Sequence, residues 1–491
     1  MSEIMRLHPR DNVALALEPL PRGKVVSVAD VSVRLRDPIP YSHKVALSPV
    51  PPGGRIVKYG YPIGRATRHI SPGEHVHIHN VESGRGHGHG AMPAEEPPGP
   101  PVPRFPSDRF LGFRRPNGRV GVRNHVLVLA SVHCVNGVVE RIGWEVPGVV
   151  ALPHIYGCSQ LGEDLAQTLR VLRGYAAHPN VGAVLLVGLG CETLPTADLV
   201  DSLREEGHRV ELLLVQEVGG SRAAVRRGKE LATQLLGEVG ELRREPVSLS
   251  ELIVAVECGG SDAWSGVTAN PVVGAVADAV VAHGGTVIMS EVTEFIGAEH
   301  ILAARAASPR VAEELLRAVA RREGVAKGMG VDLRGAQPSP GNMEGGLTTI
   351  EEKSLGAIAK GGTTPVREVV PYGTRPSSRG LVIMDTSGND LESVTGMVAG
   401  GAQVVLFTTG RGTPVGNPIA PVIKISSNTP LYERMRDDLD FDAGPVLRGK
   451  PAGEVAEGLA ALLFEVIGGQ PTRAEEWGHR EFAIEPRGPR V

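Results

Sequence analysis

Cysteine is scarce, with four in 491 residues. Cys134, Cys158, Cys191 and Cys258 lie far apart and form no CxxC pair, so neither a disulfide framework nor a zinc site of ordinary spacing is expected. No apolar run reaches the roughly 18–20 residues of a membrane span. The start, MSEIMRLHPRDN, has no apolar core of a secretory signal. Neither sign of charge dominates, because the net charge is -4 and Lys and Arg are scattered. A nucleic-acid stripe or membrane patch is not expected. The expectation is a cytoplasmic protein acting on a small molecule, without nucleic-acid or membrane partners, as a homo-oligomer. Aromatic residues are also few, at 4%, whereas glycine is abundant at 63. That balance favours tight turns and close backbone approaches, with the chemistry carried on loops.

What is present organises into three parts. The length predicts two or three domains, and a hydrophobic share of 41% is enough to build them. Residues 1–82 hold short strand-like runs, VALALEPL, KVVSV, HKVALSPV, RIVKYG and HVHIHNV, separated by Pro-Gly or polar turns. They predict a small all-β domain. Residues 83–106 are rich in Gly, His and Pro and read as a linker in which His87 and His89 are solvated. From 107 onward apolar runs of strand length alternate with amphipathic helical segments. The pattern predicts two Rossmann-like α/β units with mostly parallel sheets, 107–245 and 246–491.

In open α/β sheets ligands sit beyond the carboxyl ends of the strands, and the unusual residues gather there. SVHC (131–134), HIYGCSQ (154–160), GLGCET (188–193), VECGGSDAWSGVTANP (256–271) and FTTGRGTPVGNP (407–418) each follow an apolar run. In the fourth, Ser261, Asp262, Thr268 and Asn270 offer the hydroxyl, carboxylate and amide groups that a polyhydroxylated acid needs. The same stretch also reads as a polar turn followed by a helix capped at Asn270, with Pro271 at its first position. Lys360 in AKGGTTP and Arg411 in TGRGTPVGNP lie in glycine-rich loops where a cation can reach a carboxylate, or they are solvated loop cations. GRGTPVG has the wrong spacing for a dinucleotide fingerprint.

ECGGSDAWSGVTANP, GFRRPNGRVGVRN (112–124), EGGLTTIEEKSLGAIAKGGTTP (344–365), GLVIMDTSGNDLESVTG (380–396) and VVLFTTGRGTPVGNPIAPVIKISSNTP (404–430) resemble the altronate/galactarate dehydratase family over most of residues 110–445. Through HKVAL, IVKYGYPIGRAT and GEHVHIHN the first domain is similar to the SAF domain that accompanies that catalytic part. The resemblance implies β-elimination of water from an aldonic or aldaric acid, with altronate the leading substrate and a divalent metal, Fe2+ or Mn2+, as cofactor. Galactarate dehydration and sulfite elimination from sulfolactate are the alternatives inside the family; a carbohydrate-binding protein without catalysis is the alternative outside it.

Elimination removes a very weakly acidic proton beside a carboxylate, so it needs a Lewis acid, a base and an acid for the leaving hydroxyl. His75, His77 and His79 alternate at period two and would share one strand face. There His77 and His79 can hold a metal, or His77 can carry a proton beside His43; an exposed polar face is the plain alternative. Lys44 and Lys58 can hold the substrate carboxylate. Cys158, Cys191 and Glu192 are a second possible ligand set. The cysteines also admit an iron–sulfur cluster, or simple packing where strands meet loops.

Overall fold

The computed structural model describes residues 3–85, 99–333 and 337–488. His87 and His89 lie outside them.

The N-terminal region is all-β. A four-stranded antiparallel sheet is ordered Ile4–Met5, Val13–Ala16, Lys44–Ala46, His75–Val76, beside a hairpin (Val25–Val28, Val31–Arg34) and a three-stranded sheet (Arg55–Lys58, Tyr61–Ala66, Val81–Glu82). A two-residue turn at Tyr59-Gly60 closes the Lys58–Tyr61 pair, with φ of 61° at Tyr59 and 76° at Gly60. Both central residues of such a hairpin turn need positive φ. The buried carboxylate of Asp11 accepts both turn amides, Gly60 N at 2.7 Å and Tyr59 N at 3.2 Å, and so holds Tyr59 in a conformation disfavoured for its type.

The ends of the expected linker are docked rather than solvated. Ser83 Oγ donates to Glu351, Arg85 pairs with Glu299 and Glu323, and Phe105 is buried in the largest core.

Beyond it stand two parallel sheets. The four-stranded one is ordered Val149–Leu152, His125–Ala130, Val181–Gly188, Val210–Leu214, and the seven-stranded one Val366–Pro371, Gly380–Asp385, Thr286–Met289, Ile253–Gly259, Val404–Thr409, Val422–Ser426, Phe441–Asp442. Most of the central strands are apolar runs because helices cover both faces. An antiparallel pairing of Arg109–Gly112 with Glu245–Ser248 brackets the smaller unit. Helix Ala269–Ala282 is apolar on nearly every side and lies buried against the seven-stranded sheet and helix Ala452–Gly468. One apolar core, including Leu129, Tyr175, Tyr372, Met397 and Phe407, runs through both sheets and unites them. Among the described residues no helix is long and apolar enough to cross a membrane.

Candidate active site

Ile253–Gly259 and Val404–Thr409 are neighbours, yet the chain leaves them in opposite directions across the sheet, to Thr286–Met289 on one side and Val422–Ser426 on the other. Loops that diverge in this way leave a crevice at the carboxyl edge. Both glycine-rich loops singled out in the sequence, 259–268 and 410–418, start there.

Within that crevice the ECGGSDAWSG segment is mainly a fastening. Asp262 accepts from Ser265, Trp264 N, Ser427 and Asn428, with its two oxygens occupied, and joins the loops after two strands, Ile253–Gly259 and Val422–Ser426. Thr268 Oγ1 donates to Trp264 O and Ser427 O. Asn270 donates to Gly356 O and accepts from Thr408. The cap expected at Asn270 is corrected: the helix begins at Ala269 after Thr268, and no side chain caps it. Ser261 Oγ lies 3.0 Å from Cys258 Sγ, both buried. These polar groups find partners within the protein, which is why they can be buried.

A cluster that the sequence reading missed lies beside this fastening. Glu257, Glu291 and Asp390 bring one carboxylate oxygen each within 4.8 Å of one another. Asp390 approaches Gly259 so closely that a Cβ there would meet its Oδ2 at 2.1 Å. Lys360 Nζ, fully buried, lies 2.8 Å from Glu291 and 3.4 Å from Glu294, and Lys353 pairs with Glu294 at 2.9 Å. Four carboxyl groups thus face two ammonium groups. Burial, then the charge of Glu294, pushes Glu291 up to about 7, while burial and Glu291 raise Glu257. Asp390 is also raised by burial. Glu257 Oε1 and Glu291 Oε1 are buried without a donor. Glu291 itself has φ 62° and ψ 58°, a left-handed conformation that costs a non-glycine residue about 1–3 kcal/mol. A divalent cation would balance the excess charge and engage the vacant oxygens, so the donor set fits one; carboxylates suit hard ions such as Mn2+. The available signal was GTVIMSEVTEFIG, in which both glutamates follow a strand end.

The second cluster is at the seam between the β domain and the C-terminal unit. Strand His75–Val76 ends one residue before His77, and residues 77–80 turn under the side chain of Asn80. The histidines still converge, through this turn rather than along one strand face. The ring of His75 lies 5.4 Å from His77 and 5.2 Å from His79, and that of His43 lies 4.6 Å from His77. His43, His75 and His77 offer nitrogens within 4.8 Å of one another; that set includes His43 and His75 in place of His79. Burial lowers His75 to about 4 and His77 to about 3, so both are neutral at neutral pH. His77 Nδ1 is buried without a partner. These features also fit a metal ligand or proton acceptor.

Lys44 and Lys58 converge on one carboxylate instead of the crevice. Glu352 lies 2.8 Å from each ammonium, and Lys44 also donates to Gly346 O at 2.6 Å. Burial lowers Lys44 to about 8, whereas Glu352 outweighs burial at Lys58 and holds it above its ordinary value. The two lysines hold the domains together at this point. From the seam a path of contacts leads into the crevice: His43 Nε2 to Glu344 O at 3.3 Å, Glu344 carboxylate to Arg411 at 2.8 Å, and Arg411 against Gly260. Arg411 stands at the exposed rim.

The second possible ligand set, Cys158, Cys191 and Glu192, is not among the groups of described residues that bring their ligand atoms within 4.8 Å of one another. Both cysteines are exposed at the edge of the four-stranded sheet, and neither belongs to a group of described residues able to share one ion. Glu192 accepts from Ser131, Thr196 and the amides of Leu189 and Gly190, which engages both its oxygens.

Comparison with known proteins follows the same three parts. Residues 2–84 match the altronate/galactarate dehydratase SAF domain, 112–240 the D-galactarate dehydratase/altronate hydrolase second domain, and 249–489 the D-galactarate/altronate dehydratase C-terminal domain. The chain is 38% identical to an altronate dehydratase of Bacillus subtilis (strain 168) over 99% of both chains. It is 37% identical to an altronate dehydratase of Escherichia coli (strain K12) over 98% of both. It is also 39% identical to a (2R)-sulfolactate sulfo-lyase subunit beta of Chromohalobacter salexigens, over 76% of this chain and 96% of that one. The chain belongs to the altronate/galactarate dehydratase family and is a carbon–oxygen lyase of its hydro-lyase type.

Proposed function

We propose that this enzyme dehydrates a sugar acid, altronate first among the candidates, to a 2-keto-3-deoxy acid, in the crevice between the β domain and the seven-stranded sheet. The observation that carries this reading is the buried, charge-unbalanced carboxylate cluster beside the glycine-rich loops, to which the neutral imidazoles are linked through His43, Glu344 and Arg411. Glu257, Glu291 and Asp390 would hold a divalent ion, Mn2+ or Fe2+. Bound there, such an ion supplies a Lewis acid for the substrate carboxylate.

Arg411, at the rim, orients the incoming acid by exchanging Glu344 for the substrate carboxylate. His77 Nδ1 accepts a proton. A substrate anion beside the ring raises its basicity, because opposite charge favours the protonated form. Lys44, Lys58 and Glu352 fix the β domain so that the histidines face the crevice, and docking of the two parts excludes water around the reacting carbon. The same machinery could expel sulfite in place of hydroxide. The likeness to the sulfo-lyase subunit favours that second reading, whereas full-length likeness to altronate dehydratases favours the first. Incubation of Mn2+- or Fe2+-loaded enzyme with a panel of aldonic, aldaric and sulfonated hydroxy acids, assayed for 2-keto acid and for sulfite, separates them. Absence of 2-keto acid from every sugar acid overturns the proposal.

A further inference from the structure

Three of the four cysteines contribute nothing to the crevice, and all three are exposed, whereas free cysteine is usually among the most buried residues. They occupy equivalent places. His125–Ala130, Val149–Leu152 and Val181–Gly188 are adjacent parallel strands, and the loops after them carry Cys134, Cys158 and Cys191. Ala130 pairs with Val187, so Cys134 and Cys191 each stand four residues beyond a matched position. Neighbouring strands lie about 5 Å apart, which brings the three thiols to one edge of the sheet.

The loops are bound to one another. His133 N donates to Tyr156 O at 2.9 Å, and Ser131 Oγ donates to Glu192 at 2.5 Å. Ser159, next to Cys158, has φ 55°, a left-handed conformation in a non-glycine residue. Such strain persists where the surroundings impose it, commonly at binding sites. The Gln216 amide donates to Cys191 Sγ at 3.5 Å, a bond that steadies a thiolate ligand. Ile155 and Leu161, three residues to either side of Cys158 along the chain, are exposed apolar side chains.

We propose that Cys134, Cys158 and Cys191 carry an iron–sulfur cluster of the four-iron type. The thiols do not converge tightly enough for one ion. A cubane presents its irons at separate corners and takes thiolates that stand farther apart. The fourth cysteine, Cys258, is buried at the other sheet, so one iron is left without a thiolate and is open to an oxygen or nitrogen ligand. A chain of hydrogen bonds joins this edge to the seven-stranded sheet. Tyr156 OH donates to Ile484 O, and the adjacent Glu485 accepts from Ser387 N, three residues before Asp390.

The test is anaerobic reconstitution of the full chain with ferric iron, sulfide and dithiothreitol, followed by desalting. The expected result is a broad visible charge-transfer band with about four irons and four acid-labile sulfides per chain. Cys134→Ser, Cys158→Ser and Cys191→Ser, each exposed and folded by circular dichroism, should retain about 10-fold less cluster or worse. Cys258→Ser should retain it. No sulfide-dependent band in the parent chain, iron bound without sulfide, or equal sulfide in all three variants would each overturn the proposal. The readout is independent of turnover, so it stands or falls apart from the substrate assignment.

Discussion

Glu352 and Lys353, consecutive on helix Ile350–Ala357, serve two different clusters: Glu352 binds Lys44 and Lys58 of the β domain, and Lys353 binds Glu294 beside the carboxylate cluster. Successive helical side chains diverge by about 100°, so one turn of helix ties the domain seam to the site. Glu352→Gln leaves two buried ammonium groups without their counter-charge. The expected loss is about 3–5 kcal/mol of stability, the cost of breaking a buried pair from one side. Urea denaturation measures it, and a loss within 0.5 kcal/mol, the scale of a surface substitution, would contradict the seam. Glu352 is held below its ordinary value of 4.5 by the two lysines despite burial. Its contribution is therefore present above about pH 4.5 and lost as pH falls through the folded value. The parent should lose more stability than the variant on acidification below that point.

Metal binding should strengthen with pH. Glu257, Glu291 and Asp390 are all raised, Glu291 to about 7, and a cation must displace their protons. Calorimetry in buffers of different ionisation heat should show proton release and higher affinity at pH 8 than at pH 6. Glu291→Gln should lower metal content and reduce turnover by about 10²-fold or more. Unchanged metal content in that variant would remove Glu291 as a ligand.

His77→Gln separates chemistry from scaffolding. Imidazole basicity is lost while size and some hydrogen bonding remain. Turnover should fall by about 10²-fold, with thermal stability nearly unchanged because His77 is only half-buried. Parent-level turnover would take His77 out of the mechanism.

Asp262→Asn tests whether that carboxylate fastens loops or grips substrate. It accepts from donors on both loops, and an amide nitrogen cannot accept from them. Stability should fall by about 1–3 kcal/mol, read by denaturation. A raised KM with unchanged stability would restore Asp262 to the substrate.

The sequence by itself determined the fold class and the strand ends on which the chemistry lies, since buried parallel strands must be continuous apolar runs. LIVAVEC, TVIMSE, GLVIMDT and AQVVLFTT are strands of the larger sheet. Val366–Pro371 and Val422–Ser426 escaped because Arg367, Glu368 and Lys424 interrupt their apolar pattern; Lys424 is nonetheless buried, with its ammonium on Pro414 O. Family motifs pointed to His43, His77, Lys44 and Lys58, yet spacing along the chain could not show that both lysines share Glu352, some 300 residues away. Nor could it show that Glu257, Glu291 and Asp390 meet, because strand order, not sequence distance, sets which strand ends are neighbours. Tertiary structure alone decided which polar groups are consumed by internal bonds, as at Asp262 and Glu192, and which buried atoms remain open, as at Glu291 Oε1 and His77 Nδ1. Partner availability is a property of the packed interior, where every satisfied donor and acceptor is unavailable to a ligand.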